Sequence, residues 1–166
     1  WNKDNRTEKP QFNSREDVRT ALEATLAKMA AEEQLPDVIT FAGNGEPTIN
    51  PDFPEIVAET VRLRNKYLPN VKISVLTNAS NLGNENVVAA LKMIDEPILK
   101  VDTFIQSDFE LINKPVSGLS IATIVDNIAR NFEHPIIQTM FMRGNIDGTF
   151  FDNTTDESLR VYFETL

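Results

Sequence analysis

Apolar positions along the chain alternate between a helical and an extended rhythm. Val18, Leu22, Leu26 and Met29 recur at spacings of four, four and three, which puts them on one face of a helix. Ser14 is placed to cap that helix, Asp17 stands in the capping-box position, and Pro36 closes the segment. The run Val38-Ile39-Thr40-Phe41-Ala42 is mostly apolar and β-branched, and it meets Gly43-Asn44-Gly45-Glu46-Pro47 at once. That predicts a strand ending in a glycine loop. A helix over about 52–68 follows, with Phe53, Ile56, Val57, Val61 and Leu68 on one side. A second strand is predicted over 71–76, ending in Thr77-Asn78-Ala79-Ser80, and a helix over 85–94 carries Val87, Val88, Leu91 and Ile94. A third strand over 97–101 leads to Asp102. An irregular stretch precedes a helix marked by Ile121, Ile124, Val125, Ile128 and Phe132. The fourth strand spans 136–142 and ends in Arg143-Gly144. Leu159, Tyr162, Phe163 and Leu166 again have helical spacing, and residues 1–13 read as a loop.

One helix followed by four strand–helix units is the pattern of an α/β fold with a parallel sheet and right-handed crossovers. The strands show little alternation, which suits burial on both faces. No linker or shift in composition divides the chain, so 1–166 reads as a single domain.

Composition narrows the function classes. At 166 residues with a net charge of −9, the chain is long enough for a real core and too acidic for a general nucleic-acid-coating surface. No uncharged apolar run approaches the roughly 18 residues that cross a bilayer. There are no cysteines, which excludes disulfides, thiolate metal ligands and a thiolate nucleophile in these residues. The chain opens at Trp1 without an initiator methionine and stops within a helical pattern, so it reads as an internal piece of a longer polypeptide.

Ligands of parallel α/β folds bind at the carboxyl ends of the strands. Here those ends carry Gly43, Asn44, Gly45, Glu46, Pro47 and Thr48, then Thr77 and Asn78, then Lys100 and Asp102, then Gln138 and Thr139 leading to Arg143. They are expected to converge on one rim. Glycines let backbone approach a ligand, and carbonyls beside the Glu46 carboxylate suit an ammonium better than a phosphate. A plain strand-to-helix turn with a solvated glutamate fits the same residues. The loop lacks the spacing of a phosphate-binding Walker loop or a dinucleotide fingerprint. Thr77 and Asn78 suit a sugar hydroxyl or a carboxylate, or an Asx turn at the strand end. Lys100 and Asp102 share one face of a strand and read as ligand contacts, as a core-lining ion pair or as charges solvated at the strand end. His134, before Pro135, reads as a helix C-terminal cap.

The passage Ile39-Thr40-Phe41-Ala42-Gly43-Asn44-Gly45-Glu46-Pro47-Thr48 resembles the second strand and "GGEP"-type loop of radical S-adenosylmethionine (SAM) enzymes. Val75-Leu76-Thr77-Asn78-Ala79-Ser80 is similar to their third strand. Lys100-Val101-Asp102 and Ile112-Asn113-Lys114-Pro115 are similar to the fourth strand and its loop. The resemblance runs in order over nearly the whole chain and is closest to the iron–sulfur oxidoreductase branch of that superfamily.

The resemblance implies a partial (β/α)6 barrel, of which this chain would hold four strand–helix units. It implies a 4Fe–4S cluster and SAM as cofactors, with reductive cleavage of SAM to a 5′-deoxyadenosyl radical that abstracts a substrate hydrogen. It places Gly43–Pro47 at the SAM ammonium, Thr77 and Asn78 near its ribose or carboxylate, Lys100 and Asp102 on the barrel floor, and Gln138 and Arg143 at adenosine or substrate. A flavodoxin or ferredoxin would supply electrons in the cytoplasm, with a protein glycine, a tRNA or a small molecule as substrate. Because the cluster's cysteines are absent, this chain alone is expected to be inactive, a truncated radical SAM domain. A cluster-less module binding SAM, a nucleotide or a small metabolite is the alternative. A third reading is an unrelated doubly wound α/β domain binding a nucleotide or a small metabolite at Gly43–Pro47.

Overall fold

A computed structural model of the chain describes residues 12–42, 45–116 and 118–165. Gly43 and Asn44 of the glycine loop, and the expectations for residues 1–11 and Leu166, lie outside the described residues. The protein is α/β, with a four-stranded parallel sheet in the order β1 (Val38–Phe41), β2 (Lys72–Thr77), β3 (Glu96–Lys100) and β4 (Ile136–Gln138), and a separate two-stranded hairpin of β5 (Arg143–Ile146) and β6 (Thr149–Asp152). No helix among the described residues is long and apolar enough to cross a membrane. The residues divide into two compact bodies, Gln11–Thr77 with Asn81–Ile98, and Asn78–Ser80 with Leu99–Leu166.

The first body holds α1 (Arg15–Ala31), β1 (Val38–Phe41), a 3-10 turn (Pro47–Ile49), α2 (Phe53–Tyr67), β2 (Lys72–Thr77), α3 (Glu85–Leu91) and the start of β3 (Glu96–Lys100). Ser14 caps α1 as expected, accepting from the Asp17 N–H at 3.1 Å and donating to its carboxylate at 2.6 Å. The apolar stripe of α1 packs on α2, where Leu26, Leu63, Leu68 and Val71 form a core with Leu22, Met29 and Ile39 around it. β1 and β2 pair in parallel, with Val38 opposite Lys72 and Phe41 opposite Val75. β2 is buried along most of its length, whereas β1 alternates between exposed and half-buried positions. Burial on both faces therefore holds for β2 and fails for β1, which lies at the end of the sheet order.

An ion pair ties this body together away from the strands' carboxyl ends. Arg64 of α2 donates to the Val71 carbonyl at 2.7 Å and to Asp95 at 3.0 Å, and the same Asp95 oxygen accepts from the Ile73 N–H at 2.8 Å. The Ile73 N–H first, with Arg64 after it, holds the Asp95 carboxyl below the ordinary carboxylate range.

The second body continues from β3 through α4 (Gln106–Asn113), α5 (Ile121–Asn131), β4 (Ile136–Gln138), β5 (Arg143–Ile146), β6 (Thr149–Asp152) and α6 (Asp156–Thr165). Ser120 caps α5, and Ile121, Ile124 and Ile128 are its buried face. Two expectations are corrected here. The irregular stretch after Asp102 contains α4. The fourth strand stops at Gln138 instead of running to Met142, and Arg143 opens an antiparallel hairpin whose turn, Asp147-Gly148, has positive φ at both residues.

Side chains explain the early stop. Asp102 accepts from the Met140 N–H at 2.9 Å. Asn153, 3% exposed, donates to the carbonyls of Asp102 and Met140 and accepts from the Met142 N–H at 2.7 Å. The backbone of 140–142 thus bonds to two side chains in place of a strand ladder. His134 is fully displayed, its side chain 92% exposed, and the residue ending α5 is Phe132. His134 does not cap the helix.

Candidate functional site

In the first body, the glycine loop delivers Glu46 inward. Gly45 has φ 154°, and Pro47 opens the 3-10 turn. Glu46 is 7% exposed. Its Oε1 accepts from the Thr48 N–H at 3.1 Å, the Thr48 hydroxyl at 2.6 Å and the Thr77 hydroxyl at 2.5 Å. A buried carboxylate requires such donors, and here they staple the exit of β1 to the exit of β2. Glu46 and Thr77 are thus brought together, with the carboxylate engaged by its own fold; the solvated glutamate of the alternative reading is not what the structure shows.

In the second body, Asn78, Lys100 and Asp102 line one cavity of about 30 Å3. Lys100 Nζ pairs with Asp102 Oδ2, and Asp102 is 6% exposed. The Lys100 side chain keeps 38% exposure. Asn78 forms the Asx turn, accepting from the Ser80 N–H at 3.0 Å. The wall opposite is apolar, with Phe109, Leu119, Ile121 and Ile124. Nearby in α4, burial pushes the Asp108 carboxyl up, opposed by a hydrogen bond from Thr103.

One residue of this cavity was missed as a site residue. Asn113, the last residue of α4, lines it, and its Oδ1 is buried without a hydrogen-bond partner among the described residues. A buried acceptor left unpaired is rare enough to need a reason. Sequence offers one weak signal, a polar residue ending a short helix before Lys114-Pro115, where Lys114 takes the left-handed conformation with φ 43°. Gln138 contributes its carbonyl, which accepts from the Val101 N–H at 3.0 Å, and its side chain is exposed. Arg143 stands exposed in the hairpin. Neither lines the cavity.

Among the described residues no group of three histidine, cysteine or carboxylate side chains could hold a metal ion. With no cysteine in the sequence, the residues do not fit a 4Fe–4S cluster.

No protein-family model matches the chain. It is 33% identical over 92 residues to a UPF0026 protein of Synechocystis, covering 55% of this chain and 33% of that one. A UPF0026 protein of Methanocaldococcus jannaschii is 28% identical over 145 residues, covering 86% of this chain and 43% of the relative. One of Helicobacter pylori is 33% identical over 94 residues, 57% of this chain and 29% of the relative. The match spans less than half the length of each of these relatives.

These names correct the expectation drawn from loop resemblance. The relatives are called UPF0026 proteins and not radical SAM enzymes. The radical SAM identification falls, and with it the iron–sulfur oxidoreductase activity, the enzymatic reading and the 4Fe–4S cluster. The comparisons support no cluster-less binding module in particular either. The physical reason lies in the residues that carried the resemblance. Glu46 caps its own 3-10 turn, Asn78 makes an Asx turn and Asp102 takes the Met140 N–H. The fold uses each of these residues for its own backbone, Glu46 and Asn78 locally and Asp102 across 38 positions.

Proposed function

We propose that the cavity beside Lys100 and Asn113 binds the acidic end of a small metabolite, a carboxylate adjacent to a hydrogen-bond donor as in an α-amino or α-hydroxy acid. One observation carries this reading: the buried Asn113 Oδ1 on the cavity wall, which has no partner among the described residues. An unmet buried acceptor costs about 1–3 kcal/mol, and a ligand N–H or O–H removes that cost. Lys100 supplies the positive charge for the carboxylate, and Asp102 holds its ammonium in place. The apolar wall of Phe109, Leu119 and Ile124 keeps water from competing. A volume of about 30 Å3 admits the acidic end and leaves the rest of the ligand outside.

Calorimetric titration with methionine, SAM, lactate and acetate tests this reading. SAM belongs among the probes because it carries an α-amino acid end. Compounds with a donor next to the carboxylate are expected to bind more tightly than acetate, and Asn113→Leu to weaken them about tenfold. Equal affinity in the variant, or no binding at millimolar concentration, overturns the reading.

A further inference from the structure

The first body carries a second concavity, a groove of about 410 Å3 between the 3-10 turn with the start of α2 and the face of α3. That is the size of a small-molecule site. Four asparagines, Asn50, Asn81, Asn84 and Asn86, make up most of its polar lining, and the amides of the first three are each oriented by a backbone contact. Asn50 Oδ1 accepts from the Asp52 N–H at 3.0 Å, and Asn84 Oδ1 accepts from the Asn86 N–H at 3.0 Å. Asn81 Nδ2 donates to the Thr48 carbonyl at 2.7 Å. The other half of each amide, Asn50 Nδ2, Asn84 Nδ2 and Asn81 Oδ1, makes no hydrogen bond among the described residues. The groove therefore presents two oriented donors and one oriented acceptor. Glu55 adds a carboxylate, and no cationic side chain lines it. Beside these groups runs an apolar strip that includes Val87 and the 45%-exposed Met93.

From this arrangement we infer that the groove binds a neutral, hydroxyl-rich small molecule, a sugar or the sugar of a nucleoside. A hydroxyl both donates and accepts, so vicinal hydroxyls satisfy an amide N–H and an amide or carboxylate oxygen side by side. The C–H face of a sugar ring suits the Val87–Met93 strip. The absence of a cation among the lining residues, with Glu55 present, disfavours phosphates and carboxylates. The lining comes from a turn and two helices and offers no strand edge on which a peptide could add. Amides already fixed by the backbone lose little entropy on binding.

The test follows the Met93 ε-methyl of the full chain, 13C-labelled at methionine, during titration with glucose, ribose, adenosine and AMP. Asn84→Asp and Asn50→Asp provide the controls. Each keeps the oxygen that caps the backbone, since aspartate caps as well as asparagine, and each replaces the groove-facing donor with an acceptor. A concentration-dependent Met93 shift with the neutral compounds is expected, weakened about tenfold in either variant, with the melting temperature unchanged. No Met93 shift at millimolar concentration, equal affinity in both variants, or a shift with AMP alone overturns the inference.

Discussion

Asn113→Leu tests the physics beneath the proposed site without any ligand. The substitution keeps the branching of the side chain and deletes the amide. It removes a buried Oδ1 that has no partner among the described residues, which returns about 1–3 kcal/mol. Leucine also exceeds asparagine in helix propensity by about half a kcal/mol, at the last residue of α4. Against this, a methyl in place of an oxygen crowds a cavity of about 30 Å3, and overpacking of this kind costs about 1 kcal/mol or more. The net expectation is a gain of about 1–2 kcal/mol. For a chain of this length that raises the melting temperature by roughly 3–6 °C. Thermal and urea melts followed by circular dichroism read both quantities, with the urea slope unchanged. Asn113→Ala removes the same oxygen and cannot clash, so it separates overpacking from a real loss. If both variants lose more than about 1 kcal/mol, Asn113 Oδ1 is satisfied in solution and the cavity loses the observation that marks it. A stabilised Asn113→Leu that also loses affinity for α-amino acids is the signature of a group kept for binding at a cost in stability.

Thr77→Val deletes the hydroxyl that donates to buried Glu46 at 2.5 Å and keeps the side chain's shape. A loss of about 1–3 kcal/mol in urea melts is expected. Glu46→Gln retains an oxygen for the same three donors and should cost less, and the reverse order would contradict the staple. Asp95 gives a pH signature. Its folded carboxyl titrates below the unfolded value, so its contribution is complete above the ordinary carboxylate range near pH 4 and is lost as pH falls through the folded value. Asp95→Asn should therefore flatten the acid limb of a plot of melting temperature against pH, and an unchanged limb would show that the Ile73 and Arg64 contacts are not kept in solution.

What could be read from sequence, and what could not, follows from where each signal resides. The stripe from Val18 to Met29, and the isoleucines of α5, are one-dimensional signals, because their period alone determines which face is buried. α4 has no such signal. It is eight residues long, and Ile105 at its N-terminus offers no capping side chain. The run 136–142 is continuous in apolar character, and it is cut at Gln138 only because Asp102 and Asn153 claim the backbone at Met140 and Met142. Those partners are distant in sequence, and no window along the chain contains them. The same limit governs the site. Glu46 in a glycine loop suggests a waiting carboxylate, yet whether it waits depends on Thr77, thirty-one positions on. Asn113 is the converse, an unremarkable residue whose oxygen becomes informative only when every donor around it has been counted. Motif resemblance samples the first kind of residue and is blind to the second. Capping residues at strand ends recur wherever a strand turns into a helix, whatever the protein binds. A buried polar atom that its own fold leaves unpaired is a stronger guide, because folding alone gives no reason to keep it.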